Sequence, residues 1–417
     1  MPFGRGLRIA FLLALLAMPA ARAGLLSIES WRVDDRAVWD RVLIPAFERS
    51  HAGIEVRFAP TEPTSYDAEL AARLAAGRAG DLVACRPFDA SLALYRKGYL
   101  DKLDGKVGMR NFPATSMVAW QTDDARDTFC MPVASVIHGF LYNKAIFRLL
   151  HLQVPRTEAE FFALLDAVQR DGRFLPLALG LADRWEASQI VFTSIGPNHW
   201  RGEEGRKALI SGQAHFTDPP FVAAFEQVAR LAAYLPAGAA MQSYAESQAQ
   251  FARERAAIYP AGSWDIAYFE RDRGLELGAF APPVQAAGDP CFISDHMDIG
   301  LGVNRRSKHK ADAYAFLAWV GSQEFADLYT NRVTGFFSLS NHLISVRDPL
   351  ARQMLDWRRS CASTIRVNAQ VLDRGRPAME GELWSVNSLL LAGKITPREA
   401  AARIQAGFAS WYAPQRP

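Results

Sequence analysis

Trp264 stands directly after Gly262-Ser263, at the carboxyl end of a run that reads as a strand, where a large ring has no helix face to fill. Trp31 ends the first strand beside Arg32, Trp185 lies in the loop Ala182-Asp-Arg-Trp-Glu186, and Trp384 follows Glu380 and Glu382. Each indole could plug a core, and Trp384 could anchor the last helix pair. At strand ends, however, flat indole faces also suit the apolar side of a small solute. The polar candidates occupy the same kind of place. Arg86-Pro-Phe-Asp89 follows the third strand, Thr61 and Glu62 follow the second, and Asp295 and His296 lie in Ser294-Asp-His-Met-Asp298 ahead of a later strand. Carboxylates and guanidinium groups make paired hydrogen bonds, although a plain salt bridge between Arg86 and Asp89 is the structural alternative. His138, in an otherwise apolar strand, is either a satisfied core histidine or a contact at the same site.

This set suits binding better than reaction. Two carboxylates for hydrolysis could be drawn from Asp295, Asp298, Glu380 and Glu382, but nothing in the chain fixes a pair at the roughly 5 or 6.5–9.5 Å separations required. No Gly-x-Ser-x-Gly elbow, His-Glu-x-x-His helix or phosphate loop occurs. Cys85, Cys130, Cys291 and Cys361 lie far apart without a Cys-x-x-Cys pair, so neither metal-ligand spacing nor a redox motif is present, and no cofactor is expected. In an oxidising compartment four such cysteines form two disulfides, with three pairings open.

The compartment is indicated by the first 23 residues. Arg5 and Arg8 precede an apolar stretch from Ile9 to Met18, and Ala21-Arg22-Ala23 has the small residues a signal peptidase needs. Cleavage after Ala23 is expected, giving a periplasmic protein. The apolar stretch falls short of the roughly 20 residues that span a bilayer, and no cysteine at the cleavage point offers a lipid anchor. The whole chain of 417 residues has a formal charge of +3, and residues 1–23 carry Arg5, Arg8 and Arg22 with no acid, so the remainder is neutral. That removes the electrostatic basis for nucleic-acid or membrane-surface partners. Half the residues are hydrophobic, which excludes wholesale disorder, and the length allows two cores.

Strand patterns at 25–31, 54–58 and 81–85 alternate with helical patterns at 38–47, where Pro45 predicts a bend or a late start, and at 66–76. The second half repeats this grammar. A capping box, Thr157 to Glu160, opens a helix at 161–170; a strand at 174–181, helices at 219–235 and 247–255, strands at 256–260 and 298–303 and a helix at 310–320 follow. Strands alternating with helices imply mainly parallel sheets flanked by helices, with ligands at the carboxyl ends of the strands. No internal repeat or low-complexity linker separates the halves.

The segment Met131-Pro-Val-Ala-Ser-Val-Ile-His-Gly-Phe-Leu-Tyr-Asn-Lys-Ala-Ile-Phe147 reads as a strand buried on both faces that runs into a helix start. It resembles the crossover strand of periplasmic solute-binding proteins of sugar ABC transporters, the maltose-binding-protein-like family 1. Four further stretches resemble the same family in the same order: 81–100 with Lys97-Gly-Tyr-Leu100, 251–266 with Gly-Ser-Trp264, 300–320, and Gly393-Lys-Ile-Thr-Pro-Arg-Glu-Ala400. The resemblance covers nearly all of the chain after residue 23.

It implies an α/β, two-lobed fold with a hinge of crossover strands. One lobe is expected at 24–134 and 299–342, the other at 135–298 and 343–417. Pairing Cys85 with Cys130 and Cys291 with Cys361 keeps each bridge within one lobe. The resemblance further implies a monomer that catches a sugar by hinge closure, performs no chemistry on it, and delivers it to an inner-membrane ABC permease. In the family the tryptophan matching Trp264 stacks on a sugar ring, and Trp384 matches a cleft aromatic. Where some sugar binders carry a carboxylate or histidine four residues after the strand's proline, this chain has Val136. A charged solute is the alternative: Arg32 and Arg86 would suit a sugar phosphate, and Glu62, Asp89 and Asp295 a polyamine. A secreted glycosidase is the more distant one.

Overall fold

A computed structural model describes residues 24–271 and 274–416; the export segment expected at 1–23 lies outside them. Among the described residues the strands are β1 (Gly24–Ser30), β2 (Ile54–Pro60), β3 (Leu82–Cys85), β4 (Met131–Asn143), β5 (Leu175–Leu177), β6 (Ala256–Gly262), β7 (Leu277–Phe280), β8 (Phe292–Val303), β9 (Phe337–Ser338) and β10 (Ala362–Thr364). Their main order is β2-β1-β3-β8-β4-β6-β5. Helices flank both ends of this path, giving two α/β lobes that share two long strands.

The start of β4 and the end of β8 belong to one lobe, where Met131 pairs with Leu301 and Cys85 with Gly300. The far end of β4 belongs to the other, pairing His138 to Tyr142 with Gly262 to Ile258 of β6. The register slips around Ala134, just after Pro132, which has no N–H to give a ladder. Almost every side chain of β4 is buried, as its unbroken apolar run requires, and Asn143 caps the next helix by accepting from the Ile146 N–H at 3.0 Å.

The sheets are mixed rather than mainly parallel. β1 runs parallel to β2 and β3, and β5 to β6, but β8 pairs antiparallel with β3 and β4, and β4 antiparallel with β6 and β7. A chain that crosses between lobes and returns must bring its crossover strands in opposite directions.

Among the described residues three apolar cores hold the elements. One draws on residues between 26 and 136 and between 299 and 336, including Trp39, Phe47, Phe58, Trp120 and Phe316. A second joins Phe140, Phe161, Phe192 and Phe225 to Leu383 and Phe408 near the C-terminus. The smallest lies under helix Pro349–Asp356, around Ile137, Tyr259 and Met354. Each fully buried large side chain contributes about 1.5–3 kcal/mol.

Pro45 is absorbed by a π-helical turn, Trp39–Leu43, so that it enters helix Ile44–Ser50 in its first turn. The helix expected at 247–255 begins earlier, as Tyr244–Ala252, because Ser243 and Glu246 form a capping box; the Thr157–Glu160 box forms as expected. The cysteines pair Cys85 with Cys130 and Cys291 with Cys361. Among the described residues no helix is long and apolar enough to cross a membrane.

Candidate functional site

A cavity of about 630 Å³ opens between residues 86–97 of one lobe and residues 366–381 of the other. On the first side, Trp120 fixes the end of β3 by donating its indole N–H to the carbonyls of Cys85 and Arg86, both at 3.2 Å. Phe88 then takes a left-handed φ of 60°, sparsely populated for a bulky residue. That turn sets Asp89 in the first turn of helix Asp89–Arg96, facing the cavity.

Arg86 and Asp89 both line the cavity, but they do not pair with each other. Arg86 donates Nε to Asp67 at 2.8 Å and Nη2 to the Pro63 carbonyl at 3.1 Å, and its guanidinium lies 4.4 Å above the Trp31 ring. Asp89 accepts from Arg374 Nε at 2.6 Å, leaving Oδ2 buried without a partner. Arg374 also grips Asp123 at 2.7 and 3.1 Å, so one guanidinium joins the two lobes at the cavity rim.

Trp31 is 5% exposed and fills a core beside Tyr66. Arg32 is likewise committed, forking onto Asp35 at 2.9 Å over the Phe336 ring. Burial disfavours its charge, yet Asp35 outweighs this and raises its pKa. Glu62 is exposed in the loop after β2.

In the second lobe the Trp264 ring folds back over Gly262, where an added Cβ would lie 2.1 Å from it. Its indole donates to the Tyr244 hydroxyl at 3.0 Å, and Tyr244 donates in turn to Asp265. Asp265 also accepts from Gln248 and from the Gly262 N–H. Trp185 rests against Tyr244 with ring centroids 4.8 Å apart, and His138 meets Trp264 edge-on at 5.1 Å. Trp264 itself is half-buried and packs against the first lobe's core. None of these rings lines the cavity described above; they form a separate row at the lobe junction. Burial pushes the Asp265 carboxyl up to about 7; burial and the nearby Asp183 push Glu186 up to about 9.

The segment 294–298 is not a loop ahead of a strand but the interior of β8, because its polar residues have partners on a strand that crosses between lobes. Its alternation puts Asp295 and His296 on opposite faces. Asp295 is bound by Arg358 through two 2.7 Å contacts and by Ser363, away from the cavity. The His296 and His138 rings lie tilted with centroids 4.9 Å apart, and both are buried, their pKa values held well below the usual imidazole range by burial and by the Arg366 charge. Neither ring nitrogen of His138 has a partner, so it is not the satisfied core histidine of the simpler reading. Trp384 is half-buried on helix Met379–Leu391, with its indole N–H also unpartnered.

Sequence reasoning missed Arg366, Asp373 and Arg374, which line the cavity. Residues 365–378 have no periodicity to mark a buried face; the one available signal was the density of charge before Glu380 and Trp384. Asp373 accepts from Asn368 and from the Glu380 N–H, and burial together with the Glu380 charge pushes it up to about 8. Among the described residues no group of three or more His, Cys, Asp and Glu side chains is arranged to hold a metal.

The profile of the family described as bacterial extracellular solute-binding protein matches residues 31–326. A multiple sugar-binding protein of Streptococcus mutans is 24% identical over 285 residues, covering 67% of this chain and 66% of that protein. The chain thus spans just under two thirds of that curated relative's length. Among solved structures, the bacterial solute receptor AcbH, described by an exclusive preference for β-D-galactopyranose, matches with a TM-score of 0.82 at 17% identity, over 94% of this chain and 100% of its own. A chitin oligosaccharide binding protein gives 0.79 at 20% identity, and the binding protein RafE in complex with raffinose 0.77 at 18%, each over 94% of this chain and 100% of its own. At such identities the likeness carries the fold.

Proposed function

Because the chain belongs to the bacterial extracellular solute-binding proteins, we propose that it captures a sugar, mono- or oligosaccharide, in the cleft between its lobes and delivers it unaltered to the permease of an ABC importer. The observation that carries this reading is the cavity of about 630 Å³ lined from both lobes, within the size range of small-molecule sites. Sugar binding by the similar proteins supports the ligand class. Closure follows from the geometry: a solute touching Asp89 on one side and Glu380 on the other has more contacts when the lobes are together, so it draws the population to the closed form.

The lobes are taken as 24–134 with 299–342, and 135–298 with 343–417. Trp264, Trp185 and Trp384 are the proposed stacking rings beside the cleft; Asp89 contributes a polar contact, and Arg86, held by Asp67, lines the wall next to it. Trp31, Arg32 and Asp295, already engaged elsewhere, act as supports. The protein is assigned to the periplasm as a monomer, and it performs no catalysis.

Isothermal titration with galactose, raffinose and chito-oligosaccharides tests the reading, with product analysis of the same samples. Saturable binding with the sugar recovered intact is the expected result; release of a cleaved product, or no heat with any of the sugars, overturns it.

A further inference from the structure

Arg366 follows β10 and reaches the cavity wall beside Glu380. Its Nε is buried without a hydrogen-bond partner. The nearest carboxylate oxygens are those of Asp298 and Glu380, 3.8 and 3.9 Å from its terminal nitrogens. Those distances are within Coulombic reach but beyond hydrogen-bond length. Elsewhere around the cavity, Arg86 is chelated by Asp67, Arg96 by Asp123 and Arg374 by Asp89 and Asp123, and Lys97 is exposed to solvent. Arg366 is therefore a cavity guanidinium left with donors to offer.

We propose that Arg366, flanked by the carboxylates of Asp298 and Glu380, reads the hydroxyls of a neutral sugar and rejects anionic solutes. This deepens the sugar-binding reading and rests on it. A hydroxyl both donates and accepts, so one hydroxyl can accept from the guanidinium while donating to Glu380, which lines the cavity beside it. An anion at Arg366 can use the guanidinium but meets the Glu380 carboxylate on the cavity wall and the Asp298 charge behind it, while the other cavity guanidiniums, Arg86, Arg96 and Arg374, are already held by Asp67, Asp89 and Asp123; a cation meets the converse problem. Asp89 Oδ2, also buried and unpartnered, offers a further acceptor across the cleft. Burial holds the Arg366 pKa below its usual value, and Asp298 and Glu380 only partly offset that, as expected of a charge whose hydrogen bonds are still to be made. The same arrangement argues against a sugar phosphate, for which Arg32 and Arg86 are already committed.

The test is titration of wild type, Arg366→Gln and Glu380→Gln with galactose, raffinose and chitobiose, and with galacturonate and galactose 6-phosphate as anionic counterparts. Wild type is expected to bind at least one neutral sugar and to bind the anions at least about tenfold more weakly. Arg366→Gln should lose about tenfold or more in neutral-sugar affinity, the scale of a hydrogen bond to a charged group, with its melting curve serving as the folding control. Glu380→Gln keeps the shape and removes one repelling charge, so the anions should gain on the neutral sugars; this arm stands even if Arg366→Gln does not fold. Unchanged neutral-sugar affinity in Arg366→Gln, or anions preferred by wild type, overturns the assignment of Arg366 while leaving sugar capture intact. No binding of any of the three neutral sugars to wild type overturns the underlying reading itself.

Discussion

At the residue scale, Trp264 is held by its edges rather than enclosed. Tyr244 anchors its N–H, His138 meets one edge, and Gly262 gives the ring room to fold back. Trp264→Ala should therefore keep the fold while weakening sugar affinity by about 2–4 kcal/mol, the range of truncated binding anchors; unchanged affinity by calorimetry removes the ring from the site. The buried carboxyls make a separate prediction. Glu186, Asp265 and Asp373 are held up to about 9, 7 and 8, whereas an unfolded chain releases those protons near pH 4. The native state then binds more protons than the unfolded one above about pH 4, and stability falls as pH rises. His138 and His296, held low, act oppositely, but only below about 6.5 where the unfolded imidazoles charge. Between about pH 6.5 and 8 the imidazole contribution fades and the carboxyls dominate, so the melting temperature should fall across that interval and Asp373→Asn should flatten the decline. A melting temperature that rises there contradicts the assignment.

At the element scale, β4 and β8 hold the two lobes in one frame, and the bridges lie along them. Cys291 stands just before β8 and Cys361 just before β10, which pairs in parallel with the start of β8. The bridge closes a separation of 70 residues, and replacing both cysteines by serine should lower stability by about 2–4 kcal/mol, read as an earlier denaturant midpoint. A midpoint equal to wild type would show that β10 is held by its ladder alone. These strands also mark what the sequence can disclose. The 131–143 strand was legible because burial on both faces leaves an apolar run that nothing else explains. The opening of β8 was not, since Asp295, His296 and Asp298 look like a loop until a facing strand, Arg358 and His138 supply their partners. Trp31 and Arg32 were correctly placed at a strand end, but strand-end position cannot reveal that Tyr66, Asp35 and Phe336 already occupy them. Arg366 and Arg374 carry little local mark beyond the charge density around them; their meaning comes largely from Asp298, Asp89 and Asp123, more than 60 positions away.

At the scale of the whole molecule, the relation between the lobes depends on more than the shared strands. Arg374 binds Asp89 and Asp123, and Arg96 adds a second contact to Asp123 at 2.6 Å, so a small charged clasp closes the rim. The Asp89 end is mostly buried, while Asp123 is half exposed. Exposed pairs contribute only about 0–1 kcal/mol, enough to tilt a hinge balanced near equality but not to lock it. The consequence can be isolated at Asp123, which does not line the cavity. Without sugar, Asp123→Asn should enlarge the radius of gyration measured by small-angle scattering, because the open form gains population. High salt should produce the same change in wild type and little further change in the variant, since screening and mutation remove the same attraction. Saturation with a bound sugar should return both proteins to one compact form, and the variant's affinity should fall only by the factor lost from the closed population. If sugar-free wild type and Asp123→Asn scatter identically at low salt, the clasp does not bias the hinge, and closure must come from the sugar alone.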